Sequence, residues 1–192
     1  MHIDYIGIDC TQMRDGLSEK EAISRANKGD YDAQRYLYDK YRSKWYMICL
    51  RYLPNRFDAE DALQNGLIHI FTKLDQFDPA LGEFGSWTSR IIANDCLLII
   101  RNNHKNLVVQ ELDNDLPIYA PEENALDKLS REDIMKMIQK LPMGYRIIFN
   151  MYVFEGYSHK EIADQLNITE GTSKSQLFKA RKMLQQALEL MI

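Results

Sequence analysis

Between Thr172 and Lys182 the chain carries Thr172, Lys174, Ser175, Gln176, Lys179 and Lys182. Hydroxyls, amides and ammonium groups of this kind bond phosphate oxygens and base edges. A second cluster, Asp58, Glu60 and Asp61 with His69 further on, has the atoms for a metal site. The ligand geometry is poor, because His69 sits two helical turns on with no partner at ligand spacing. Negative charge in the first turn of a helix, where the dipole favours it, explains the three acids without a metal.

The polar run needs a helix that presents it, and the stretch from Tyr157 to Leu184 supplies one. Ser158 followed by Glu161 is a capping box, and it opens a helix with Ile162, Ala163 and Leu166 on one side. Asn167 can take the left-handed conformation that ends a helix, and Thr169 then caps a second. That spacing is a helix-turn-helix, whose second helix enters the major groove. Small Ala163 suits the close approach of the two. On the second helix Leu177, Ala180 and Leu184 recur at intervals of three and four and form the buried seam. A merely solvated amphipathic helix would not account for the short corner, the paired caps and the small polar residues together.

Upstream, Ser18 and Glu21 begin a short helix that ends near Gly29. Asp30 caps the next, which runs to about Leu53 with Leu37, Tyr41, Trp45, Ile48 and Tyr52 as its inward stripe. Asp58 is the expected cap of a third helix, striped by Leu63, Leu67, Ile70, Leu74 and Phe77; Gly66 within it costs about 1 kcal/mol relative to Ala. After a loop with Pro79, Gly82 and Gly85 as breakers, Ser86 is expected to cap a fourth helix, apolar around most of its girth. Residues 106–127 hold six acids, no Lys or Arg, and Pro117 and Pro121, and read as an extended linker. A second helical domain follows, with Ile134, Ile138 and Leu141 on one helix. Ile148, Phe149, Tyr152 and Val153 face inward on the next, which starts at Pro142.

The formal charge of −4 is unusual for a nucleic-acid binder, but the acidic stretch accounts for it and leaves the rest of the chain at +2. Cys10, Cys49 and Cys96 are odd in number and far apart, which argues against a disulfide framework or zinc. The first ten residues lack the pattern of a signal peptide, and no apolar run is long enough to span a bilayer. These features point to a cytoplasmic protein. Residues 1–17 show no chemistry.

The run from Gly156 to Leu184 resembles the C-terminal DNA-reading domain of bacterial sigma factors, particularly the extracytoplasmic-function (ECF) group. Gly156, Ser158, Glu161, Ile162, Ala163, Leu166, Gly171, Thr172, Lys174, Ser175, Leu177, Ala180, Arg181 and Leu184 all match the family pattern. Ser173 stands where an inward apolar residue is usual, and Gln176 where an exposed Arg is common. The stretch LPMGYRIIFNMYVFEGYS is also similar to the family. Asp58, Ala59, Glu60, Asp61 and Gln64 resemble the segment that docks on core polymerase, with Asn65 at a usually acidic position. Phe84, Trp87, Arg90, Ile91 and Asn94 resemble the segment that recognises the start-proximal promoter element and captures an unpaired base. Extruding a base costs a few kcal/mol, offset by stacking and edge hydrogen bonds, which Phe84, Asn94 and the loop backbone are placed to supply. Trp87 reads equally well as core.

The resemblance thus implies an all-α protein of two small helical domains joined by a flexible acidic linker: residues 18–105, the linker 106–125, and residues 126–192 with the helix-turn-helix. It implies an alternative sigma factor that binds core polymerase and directs initiation, without catalysis, cofactor or metal of its own. Core would be met by Asp58, Glu60, Asp61, Gln64 and Asn65. The start-proximal element would be met by Phe84, Trp87, Arg90 and Asn94, and the upstream element by Thr172, Lys174, Ser175, Gln176, Phe178 and Lys179. An anti-sigma factor is a further partner implied by the family. The rival readings are a helix-turn-helix regulator acting without polymerase, which leaves Asp58 to Asn94 unexplained, and a metal-dependent nuclease using Asp58, Glu60, Asp61 and His69.

Overall fold

The computed structural model describes residues 17–103 and 130–189, and those residues form helices, turns and short connections. In chain order the helices are α1 (Glu19–Ala26), α2 (Tyr31–Tyr52), α3 (Arg56–Thr72), a 3-10 turn at Leu74–Gln76, and α4 (Phe84–Asn103). The second unit holds α5 (Arg131–Lys140), α6 (Met143–Val153), α7 (His159–Leu166) and α8 (Glu170–Glu189). The expected linker and the start of the second domain at Leu126 lie outside the described residues.

Local chemistry sets most of the boundaries. Ser18 Oγ accepts from Glu21 N at the head of α1, and Asp30 Oδ1 accepts from Asp32 N and Ala33 N at the head of α2. The third helix starts earlier than expected. Asn55 caps it by accepting from Phe57 N at 3.0 Å, which puts Asp58 inside the first turn rather than before it. The fourth also starts early, at Phe84, so Ser86 is helical and not a cap.

Leu37, Trp45, Ile48 and Tyr52 of α2 are buried, as the spacing predicts, while Tyr41 is half-buried. On α3 the buried side is set by small residues, Ala59, Ala62 and Gly66, followed by Ile70; Leu63 and Leu67 flank it, half-buried. Gly66 is there for room. A Cβ at that position would lie 2.3 Å from Ile92 Cδ1 on α4, so the missing side chain lets the two helices close up. Three other inward assignments fail: Ile134 is 42% exposed, Tyr152 36% and Val153 44%. Met137 with Ile138 on α5, and Tyr145, Ile147, Ile148 and Met151 on α6, bury instead.

The two units share one core. Ile147, Ile148, Met151, Tyr157, Ile162 and Leu177 belong to the same apolar cluster as the buried residues of α1 to α4. Leu141, Tyr145 and Ala180 form a smaller cluster between α5, α6 and α8.

Candidate nucleic-acid interface

The helix-turn-helix forms as its caps dictate. Ser158 Oγ accepts from Glu161 N at 3.2 Å, and Glu161 Oε2 accepts from Ser158 N at 2.8 Å, closing the capping box. The Ser158 N–H, and then the Ser158 hydroxyl that also donates to Oε2, hold the Glu161 carboxyl below the usual carboxylate range. Asn167 takes the left-handed conformation (φ 55°, ψ 50°), and Ile168 N donates back to Ala163 O. Thr169 Oγ1 accepts from Thr172 N at 3.0 Å and opens α8.

α8 then presents Lys174, Ser175, Phe178 and Arg181 to solvent, with Thr172 and Lys179 at the margins, half-exposed. Phe178 is 62% exposed, a large apolar ring among cations and a hydroxyl. Gln176 departs from the expectation that it reads bases. It is 2% exposed, and neither of its amide atoms has a protein partner. One residue before Leu177 and three after Ser173, it turns to the same side as the seam. Ser173 is fully buried, and its hydroxyl shares a 2.9 Å hydrogen bond with His159 Nδ1 on α7. Burial, with Lys174 nearby, lowers the His159 pKa and favours the neutral ring, which also stacks on Tyr152 at 4.5 Å.

The residues that the resemblance assigns to the start-proximal element divide sharply. Phe84 is 1% exposed, held edge-on by Tyr41 and Phe77 and tilted against Trp87, so it is a core ring and not a free stacking platform. Trp87 is half-buried against the same rings. Arg90 and Asn94, one turn apart on α4, are exposed. Beside this aromatic group opens a groove of about 1050 Å³, bounded by α1, by Lys40, Tyr41 and Lys44 of α2, and by the stretch from Leu74 into the first turn of α4. At its edge Tyr41 OH donates to Glu19 at 2.6 Å; burial first, then that carboxylate, pushes the phenol up out of the titrating range.

The acids of α3 occupy its outward side. Glu60, Asp61 and Gln64 are exposed, Asp58 and Asn65 half-exposed, and Glu60 is shared with Arg56 at 3.4 Å. His69 is engaged by Asp95 of α4 at 2.8 Å, away from Asp58, Glu60 and Asp61. Two residues on this face lie outside the sequence reading: Phe57, 81% exposed, and Ile68, 60% exposed. With Asp61 and Gln64 they make one stripe at intervals of four, three and four. That spacing was available in the sequence, but it belongs to apolar residues off the core stripe, which core-directed reading passes over.

The units meet along α4 and the end of α2. Glu155, after α6, has a side chain 1% exposed; its carboxylate accepts from Arg51 Nη2 at 2.7 Å and from Tyr52 OH at 3.2 Å. Desolvation outweighs the Arg51 guanidinium and pushes the Glu155 pKa up to about 6. Gln139 Nε2 donates to Leu50 O and Asn150 Nδ2 to Arg51 O, which satisfies carbonyls at the C-terminal end of α2. Further along, Arg90 faces Glu161 and the Gly156 carbonyl and lies over the Tyr157 ring, while Gln165 binds both Asn94 and Arg101.

The description of Sigma-70 region 2 matches residues 37–106 and that of Sigma-70 region 4 matches residues 131–184, together more than half of the chain. ECF RNA polymerase sigma factor SigW of Bacillus subtilis (strain 168) is 29% identical over 180 residues, covering 88% of this chain and 96% of its own. ECF RNA polymerase sigma-E factor of Escherichia coli (strain K12) is 25% identical over 199 residues, covering 94% and 99%. In fold, the chain is similar to the sigma factor RpoE of Bartonella quintana, solved with the anti-sigma factor NepR, at a TM-score of 0.52 and 19% identity over 81% of this chain and 96% of that one. With both regions present in order on two packed helical units, the chain belongs to the sigma-70 family, in its ECF group.

Proposed function

We infer that this chain is an alternative sigma factor: it binds core RNA polymerase and directs it to promoters. One observation carries the reading. A region 2 unit and a region 4 unit follow each other in one chain, and each exposes a face suited to its task. The chemistry of initiation then belongs to the polymerase, so the chain needs no catalytic group or cofactor. Its place of action is the cytoplasm, where polymerase and promoter are. An anti-sigma factor, as RpoE of Bartonella quintana has in NepR, is a fitting regulator.

The N-terminal unit, within residues 18–105, docks on polymerase through α3. Asp58, Glu60, Asp61, Gln64 and Asn65 supply the polar part of that contact, and Phe57 and Ile68 its apolar anchors. Arg90 and Asn94 meet the start-proximal element, with the groove beside Phe84 and Trp87 receiving the strand. The C-terminal unit, within 126–192, reads the upstream element. Lys174 and Lys179 hold phosphates there, Thr172 and Ser175 bond phosphate or base edges, and Phe178 packs on a thymine methyl. The α3 face and the region 2 match favour this reading over a regulator that works without polymerase.

The test is run-off transcription with purified core polymerase on promoters selected from a randomised pool. The wild-type chain should confer core-dependent, promoter-specific transcripts. Asp61→Lys and Phe57→Ala should each weaken association with core by more than about 1 kcal/mol, as central contacts do, with helicity unchanged. DNA binding that ignores core polymerase, with no transcript, would support the independent regulator instead.

A further inference from the structure

Resting on the assignment of α8 to the upstream element, we propose that binding there takes up a proton, and that His159 of α7 carries it as a cation against a backbone phosphate. The residue that leads to this is Ser173, which stands where the family has an inward apolar side chain. An apolar group would only pack there. The Ser173 hydroxyl, fully buried, instead meets His159 Nδ1 at 2.9 Å. One face of the imidazole stacks on Tyr152 of α6, with centroids 4.5 Å apart and planes 25° from parallel. The ring is thus fixed by an edge and a face, yet it stays half-exposed. With Nδ1 turned to the buried hydroxyl, Nε2 on the opposite edge is the atom a ligand can meet. A hydroxyl both donates and accepts, so Ser173 serves either charge state. It donates to Nδ1 of the neutral ring, whose proton then lies on Nε2, and it accepts from Nδ1 of the charged ring. Nε2 is a donor in both.

The ring lies at the positive margin of the DNA-reading face. From α8 it is faced by Lys174, Glu170 and Arg181, and from α6 by the Tyr152 phenol. Glu170 is shared with Lys174 at 3.5 Å, and the Arg181 guanidinium lies 5.7 Å from the centre of the Tyr152 ring. In the free chain burial first, and then Lys174, disfavour a proton on His159; Glu170 opposes them and Arg181 adds to them, so the ring is held below its ordinary pKa. A backbone phosphate reverses that balance. It offsets the two cations and pairs with the imidazolium through Nε2. The first helix of a helix-turn-helix crosses the phosphate backbone when the second lies in the groove, which brings α7 to such a phosphate. The bound ring then keeps its proton to a higher pH than the free ring. Binding therefore takes up a proton and tightens as pH falls.

The experiment uses holoenzyme reconstituted from core polymerase and the full chain, with a labelled duplex carrying only the upstream element of a promoter it transcribes. Affinity is read at pH 8 and pH 6 over a range of salt, and proton uptake by calorimetry in two buffers of unlike ionisation enthalpy. Wild type should bind about tenfold more tightly at the lower pH, the worth of one hydrogen bond to a charged group. Its salt slope should steepen there by about one phosphate contact. His159→Gln, which keeps a donor but does not titrate, should show neither change. His159→Lys, charged throughout, should show the steeper slope already at pH 8, which separates the charge from the packing against Ser173 and Tyr152. Effects of pH on core polymerase and on the other histidines are common to all three proteins and cancel in the comparison. A wild-type pH response matched by His159→Gln overturns the proposal, as does wild-type binding with no more proton uptake than that variant. A wild-type holoenzyme that fails to bind the duplex at either pH would instead overturn the assignment of α8 to the upstream element.

Discussion

At the scale of single residues, two side chains of α8 carry the sharpest tests. Gln176 is buried with both amide atoms unpaired, and an unsatisfied buried polar group costs about 1–3 kcal/mol. Gln176→Leu, similar in volume, should therefore raise the melting temperature and leave the ranking of upstream elements unchanged in a promoter selection. Gln176→Arg, which would alter base preference from an exposed site, should mainly destabilise, because a longer charged group enters a packed seam. Ser173 has a partner the sequence does not disclose. Its neighbour four residues back, Thr169, already has its carbonyl in the helix ladder, and the hydroxyl bonds His159 instead. Ser173→Ala and His159→Ala should each lower stability. A double-mutant cycle by thermal denaturation should return a coupling of about 1 kcal/mol, the net worth of one hydrogen bond. Additive effects would show that the bond contributes nothing.

At the scale of elements, α3 and α4 pack closely because Gly66 leaves its place to Ile92. In an exposed helix Gly66→Ala would gain about 1 kcal/mol in propensity. Here the new methyl meets Ile92, which is fully buried, and overpacking costs about 1–3 kcal/mol. The substitution should be neutral to destabilising, and Gly66→Val clearly destabilising, by urea denaturation. A Gly66→Val chain more stable than wild type would mean that the two helices do not approach as closely. The same pair of helices shows what periodicity can and cannot carry. The α2 stripe of Leu37, Trp45, Ile48 and Tyr52 was legible because each member is large and regularly spaced. The buried side of α3 was not, because Ala59, Ala62 and Gly66 bury by being small. Helix starts at Ser18, Asp30, Ser158 and Thr169 were legible because capping is a local bond. Asn55 was missed because three acids just beyond it offered an equally good local signal.

At the scale of the whole molecule, the contact between the units contains a titratable hinge point. The Glu155 carboxyl faces Arg51 and Tyr52, with Cys96 and Tyr157 close by, and burial raises its pKa from 4.5 to about 6. A raised carboxyl pKa means that the closed form takes up a proton more readily than an open form with Glu155 in water. Its contribution to closure is complete below the ordinary carboxylate pKa and is lost as pH rises through about 6. The contact between the units should thus tighten by about 1 kcal/mol between pH 7 and pH 5, at about 1.4 kcal/mol per pKa unit for the full shift. A fluorescence pair placed on exposed positions of the two units should report more of the close form at the lower pH. Glu155→Gln should flatten the response, and a wild-type signal that moves the other way would refute the assignment.

The sequence by itself determined the all-α class, both units and their order, and the helix-turn-helix with its caps. It also placed the polar residues of α8 and the acids of α3 on their helices. All of these rest on bonds within a turn or two of chain, or on motifs confined to one helix or one corner. Which of those residues are free to act was decided by tertiary packing. Phe84 is consumed by Tyr41, Phe77 and Trp87; Gln176 by the seam it flanks; Arg90 and Asn94 by a helix more than sixty positions away. Such contacts join residues whose separation along the chain sets no spacing rule, and a few tens of degrees of rotation about a helix axis move a side chain from solvent to core. Periodicity resolves the side of a helix, and only its packed neighbours resolve the edge.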